Sequence, residues 1–140
     1  MTNANGKVYD HIVTLVLRLF FAAMFLPTGL GKFQSLAGFR ESMHKSFDST
    51  FLAGPLLDLF LAVLPFVEVG VGALLLLGLL TRPVFVVTAL TLVALFFGKW
   101  VTHDLQTSAF NAVYVFIAVY AVRQSEHNRF SLDALLFRKK

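Results

Sequence analysis

Arg18 and Glu68 are charged residues set inside apolar segments, where charge is expensive. Glu68 stands twelve residues from either end of the run Leu56 to Leu80, so a helix through that run carries it close to mid-bilayer. An ionised carboxylate at that depth costs about 2.5 kcal/mol or more. It must therefore be paired, protonated or in contact with water. Arg18 lies roughly 9 Å into the first apolar run and Glu68 roughly 18 Å into its own. A long arginine side chain closes that gap, and the two are expected to face each other inside the molecule. Three roles are open for them. Arg18 snorkels to headgroups over a protonated Glu68; or the two form a bridge that only ties helices together; or they are a functional pair. Ala22, Phe25, Gly29 and Lys32 share the helical face of Arg18, and Pro65 and Gly72 share that of Glu68. Small residues there permit close packing or leave a pocket.

A second polar group comprises Lys32, Lys99, Trp100, His103, Asp104 and Asn111, all expected near the outer surface. Lysine and tryptophan at a membrane boundary are ordinary anchors. The alternative is a mouth in which His103 and Asp104 relay a proton and Lys32 holds an anion. Histidines at positions 11, 44, 103 and 127 have no metal-ligand spacing, so no metal site is expected. The absence of cysteine removes disulfides, thiol catalysis and thiolate metal sites.

The elements that position these residues are membrane helices. With 57% hydrophobic and 14% charged residues and a mean hydropathy of +0.75, the chain is not composed like a water-soluble domain. Its apolar blocks are too continuous for one-sided amphipathic helices. Spans are expected at about 10–31, 56–80, 83–101 and 108–123, a single all-α transmembrane four-helix bundle. The first block is too long for a cleaved signal and is expected to remain as a helix. Seven basic residues (Lys7, Arg82, Arg123, Arg129, Arg138, Lys139, Lys140) fall on the side of the termini and four (Lys32, Arg40, Lys45, Lys99) on the other, which predicts cytoplasmic termini.

Between the first two spans, Phe39, Met43, Phe47 and Phe51 recur every four residues, predicting an interfacial helix on the outer face or a lid on a site. Pro55 marks the return into the membrane. Near the end of the sequence, Phe130, Leu132, Leu135, Leu136 and Phe137 precede Arg138, Lys139 and Lys140, a pattern for a short amphipathic helix on the inner leaflet. The pI near 9.7 arises from basic residues flanking apolar spans and forms no recognition motif, so anionic lipid rather than nucleic acid is the expected partner.

Several stretches together carry a resemblance. They are Arg18 with Phe20-Phe21, Gly29-Leu30-Gly31-Lys32, Glu68-Val69-Gly70-Val71-Gly72, Leu77-Gly78-Leu79-Leu80-Thr81-Arg82, Asn111-Ala112 and Phe130-Ser131-Leu132-Asp133. Over nearly the whole chain they resemble the DoxX family of small bacterial membrane proteins. The resemblance implies four transmembrane helices in a bacterial inner membrane. The family takes its name from a subunit linked to thiosulfate oxidation with quinone as electron acceptor, and other members accompany redox or detoxification proteins. Membership alone does not supply an activity.

The expectation that follows is a subunit or accessory of a quinone-linked redox assembly, with an Arg18/Glu68/Lys32 cavity that holds a quinone, its carbonyl on Lys32, or docks a partner. No self-sufficient catalytic motif, haem ligand pair or flavin motif is visible, so other chains or a bound quinone would carry the electrons and no covalent cofactor is expected. The alternatives are a small oligomeric transporter and a non-catalytic scaffolding subunit with phenylalanine-rich surfaces. Each reading implies a homo-oligomer or a place in a larger membrane complex.

Overall fold

The computed structural model describes residues 4–125, with backbone alone for 4–7. The described residues form five helices: α1 (Ala4–Gln34), α2 (Leu36–Phe47), α3 (Pro55–Leu77), α4 (Thr81–Val101) and α5 (Leu105–Gln124). Four of them are long and apolar enough to cross a membrane: Val8–Gln34, Pro55–Leu77, Thr81–Val101 and Leu105–Gln124. The all-α membrane bundle is therefore present. Even the last span, 20 residues long, measures about 30 Å at 1.5 Å per residue, the thickness of the hydrocarbon layer. It begins earlier than its hydropathy suggests, because Asp104 caps it by accepting the Thr107 N–H at 3.2 Å.

The α3–α4 turn is built by local chain chemistry. Gly78 adopts φ 72°, and its N–H reaches the Leu74 and Leu75 carbonyls while the Leu79 N–H reaches Leu74 at 3.0 Å. This is a Schellman ending, which glycine favours because it tolerates the left-handed conformation. Leu80 follows with φ 48°, an unfavourable value for a side chain with a Cβ, and passes directly into α4. At the other end of α3, Pro55 sits in the first turn, where its missing N–H removes no helical bond.

Packing divides the bundle into two close pairs, α1 with α3 and α4 with α5, which meet along a looser seam through α3–α4 and α1–α5. Glycine makes the first pair close. A Cβ on Gly72 would lie 2.7 Å from the Leu26 backbone nitrogen, and one on Gly29 would lie 2.9 Å from the Glu68 Cβ. Across the seam, Phe21, Phe25, Val71, Leu75, Phe85 and Leu92 pack with Ala118 and Ala121, with Phe21 and Phe85 edge to face at 6.2 Å. At the end of the bundle shared by the start of α1 and the end of α5, Thr14 donates to the Gln124 carbonyl at 3.0 Å. The Gln124 amide donates to Asp10 at 2.9 Å.

The phenylalanine stripe between the first two spans is a helix, α2. Its Phe47 is buried against Leu57 and Leu61 of α3, flanked by Phe39 and Met43, so the apolar face lies on the bundle. His44 and Asp58, 2.9 Å apart, join the same two helices at the surface. The helix ends at Phe47 and does not continue to Phe51. The Thr50 N–H and hydroxyl both turn back to the Phe47 carbonyl, which leaves Phe51 exposed at 78% and edge-on to Phe97. The amphipathic segment expected from Phe130 to Lys140 lies outside the described residues.

Candidate functional site

The α1–α3 contact sets which side chains meet. With Leu26 opposite Gly72 and Gly29 opposite Glu68 and Val69, Glu68 is level with the last turns of α1. Those turns include Lys32, because α1 runs to Gln34 and does not stop at Gly31. The Lys32 Nζ donates to Glu68 Oε1 at 2.7 Å and to Oε2 at 2.6 Å. The Glu68 side chain is 3% exposed and that of Lys32 is 15% exposed, so this is a nearly enclosed ion pair. The Phe39 ring of α2 covers the ammonium at 5.3 Å from its centroid, close enough for a cation–π attraction.

The expected partner of Glu68 was Arg18, and here the geometry corrects the reading. The glycine contacts place Arg18 beside the turn at Leu80, about 18 Å along the helix axis from Glu68. Depths counted from each span's own end halve that separation because they ignore the register of one helix against the other. Arg18 is buried nonetheless, at 3% exposure. Its Nε donates to the Leu75 carbonyl at 3.0 Å and its Nη2 to the Leu76 carbonyl at 3.3 Å. Those carbonyls end α3, where intrahelical donors run out and the negative end of the helix dipole lies. Arg18 thus caps α3. The Leu-Gly-Leu-Leu turn was the available signal, since a glycine stop implies orphan carbonyls just before it.

Two pockets flank the ion pair. On the lysine side a cavity of about 180 Å³ is walled by Phe39, Met43, Phe47 and Phe60, with Lys32 and Lys99 as its charged members. Lys99 is itself 3.2 Å from Asp104. On the carboxylate side a cavity of about 140 Å³ is lined by Thr28 and Glu68, by Asn111 and Tyr114 of α5, and by Met24, Phe25, Leu92 and Leu95. Trp100 and His103 belong to a third cleft of about 500 Å³, with Ser46, Ser49 and Thr50.

The second polar group is therefore distributed. Lys32 and Lys99 share one pocket, Asn111 joins Glu68 in another, Trp100 and His103 line the third, and Asp104 serves as the cap of α5. Hydrogen bonds from Thr107, together with Lys99, hold the Asp104 carboxyl below its ordinary value of 3.8. Among the described residues the His103 imidazole makes no hydrogen bond to Asp104. Thr28 and Tyr114 were not anticipated, whereas Phe39 belongs to the stripe expected on an interfacial helix or a lid. Tyr114 stands one turn after Asn111 on the same face, a spacing that would have linked them.

A model of the DoxX family matches residues 13–103. This chain belongs to the DoxX family. The matched stretch contains Arg18, Lys32, Glu68, Lys99, Trp100 and His103, while Asp104 and Asn111 follow it. No curated protein and no solved structure matches the chain.

The chemistry open to this DoxX protein follows from its donor count. An ammonium has three donors, and Lys32 directs two at Glu68, leaving one for a ligand. Lys32 and Lys99 are each neutralised by a carboxylate, Glu68 and Asp104. The lysine-side pocket therefore suits a neutral acceptor, such as a carbonyl, better than an anion.

Proposed function

We propose that this DoxX protein is a small membrane subunit of a quinone-linked redox assembly, with the quinone head held in the pocket on the lysine side of the Lys32–Glu68 pair. The observation that carries the reading is the enclosed ion pair itself, an ordered donor at the end of an apolar, aromatic cavity. A cavity of about 180 Å³ suits one substituted ring, with an attached tail extending into lipid. Lys32 and Lys99 donate to ring carbonyls, Glu68 fixes the direction of Lys32, and Phe39, Phe47 and Phe60 flank the ring. When bound, a quinone supplies the two-electron chemistry. Other chains of the assembly exchange electrons with it.

The setting proposed is the bacterial inner membrane, with both termini cytoplasmic on the seven-to-four basic asymmetry. Anionic lipids, further copies of the chain or other membrane subunits are its partners, and nucleic acid has no part. The test is extraction of the purified protein for an oxidised-minus-reduced quinone difference spectrum, with titration by a short-tailed quinone. Bound quinone is expected, with about tenfold weaker binding in Lys99→Met, which leaves the Lys32–Glu68 pair intact. Neither retained quinone nor saturable binding in the wild type would overturn the proposal.

A further inference from the structure

The pocket on the other side of the ion pair has a different hydrogen-bonding character. Asn111 and Tyr114 line it from α5, in a span, and the described residues supply neither side chain with a hydrogen-bond partner. Polar groups facing an apolar medium without partners are costly, and a bilayer offers none. Glu68, almost fully buried, faces the same space. Each of its oxygens accepts one bond from Lys32 and retains capacity for another. The Thr28 hydroxyl donates to the Met24 carbonyl at 2.5 Å, so towards the pocket it can only accept.

A molecule that completes this set must donate to a carboxylate and accept from an amide N–H or a phenol. A hydroxyl does both. A ketone lacks the donor, and an anion would meet Glu68. The remaining walls, Met24, Phe25, Leu92 and Leu95, are apolar, and about 140 Å³ is close to the roughly 150 Å³ that accommodates a benzene ring. We infer that the Glu68 pocket between α1, α3, α4 and α5 is a second ligand site, for a single-ring hydroxyarene that donates its O–H to the Glu68 carboxylate and accepts from both Asn111 and Tyr114.

This inference does not depend on the quinone reading, and the test separates the two. The wild-type protein in nanodiscs is titrated with 4-fluorophenol and 4-fluoroanisole and followed by fluorine NMR, with empty nanodiscs as the reference. The two probes share a ring, but the ether lacks the donor. The phenol is expected to bind at least tenfold more tightly than the anisole. Tyr114→Phe and Asn111→Leu should each weaken phenol binding by about fivefold, the loss of one hydrogen bond to the ligand oxygen, while the phenol's advantage over the anisole, which comes from the O–H donated to Glu68, persists in both variants. Lys99→Met, in the other pocket, should leave phenol binding intact.

Displacement of the phenol by a decyl-tailed hydroquinone would identify reduced membrane quinol as the source of the hydroxyl. Failure of that displacement would identify tailless phenols, and either result supports the site. Equal binding of phenol and anisole, or none beyond the empty nanodisc, means that the pocket holds only water or lipid and overturns the inference.

Discussion

Gly72→Ala tests the contact on which the whole site depends. The added Cβ would lie 2.7 Å from the Leu26 nitrogen, 2.8 Å from its Cβ and 2.9 Å from its Cα. Two of those atoms are backbone, so no side-chain rotation relieves the clash. Ordinary carbon contacts lie at about 3.5–4.0 Å, so α1 and α3 must separate by roughly 0.8 Å. Overpacking of this kind costs about 1–3 kcal/mol. Gly70→Ala is the internal control, because a Cβ there meets nothing within 4 Å. Both substitutions gain the same helix propensity, up to about 1 kcal/mol, so the difference between them reports the clash alone. The assay is reversible unfolding in mixed micelles titrated with dodecyl sulfate, followed by far-ultraviolet circular dichroism. Gly72→Ala is expected to unfold earlier than Gly70→Ala by that 1–3 kcal/mol. Coincident unfolding curves would refute the register that brings Lys32 to Glu68.

Two further outcomes follow from the caps. Arg18→Met removes both bonds to the end of α3; Leu75 keeps the Gly78 N–H, so at that helix end the loss centres on the Leu76 carbonyl, and the variant should be destabilised by at least about 2 kcal/mol in the same unfolding assay, with Arg18→Lys intermediate. The Asp104 carboxyl is depressed in the folded state by Thr107 and Lys99, so its contribution is fully present above the ordinary value of 3.8 and is lost as pH falls through the lower folded value. Asp104→Asn, which can still cap α5, should therefore show a shallower acid loss of stability than the wild type, measured from roughly pH 5 down to pH 2.

Hydropathy made the four spans legible because each needs only a run of apolar residues as long as the bilayer is thick. The stripe of Phe39, Met43 and Phe47 likewise announced α2, since a period near four marks one face of a helix wherever it lies. What one-dimensional counting does not carry is the register between helices. That register depends on where two glycines let backbones touch, and it decided that Glu68 meets Lys32 while Arg18 meets carbonyls. Lys32 read as an interface anchor because lysines often end spans; here the helix continues two residues beyond it and carries its ammonium inward. Tyr114 was not expected at the site. Its meaning depends on Glu68 of α3 facing the same pocket, a relation between residues 46 positions apart.

The central claim is the Lys32–Glu68 pair, and a double-mutant cycle on unfolding free energy tests it most directly. Lys32→Met or Glu68→Leu alone leaves a buried charge without its partner and should cost about 3–5 kcal/mol. The double variant leaves no charge and should recover most of the loss, a coupling of at least about 2 kcal/mol. The same cycle on Arg18 and Glu68 should show no coupling beyond about 0.5 kcal/mol, since the two share no contact. Additive losses for Lys32 and Glu68, with strong coupling between Arg18 and Glu68 instead, would contradict the site as described.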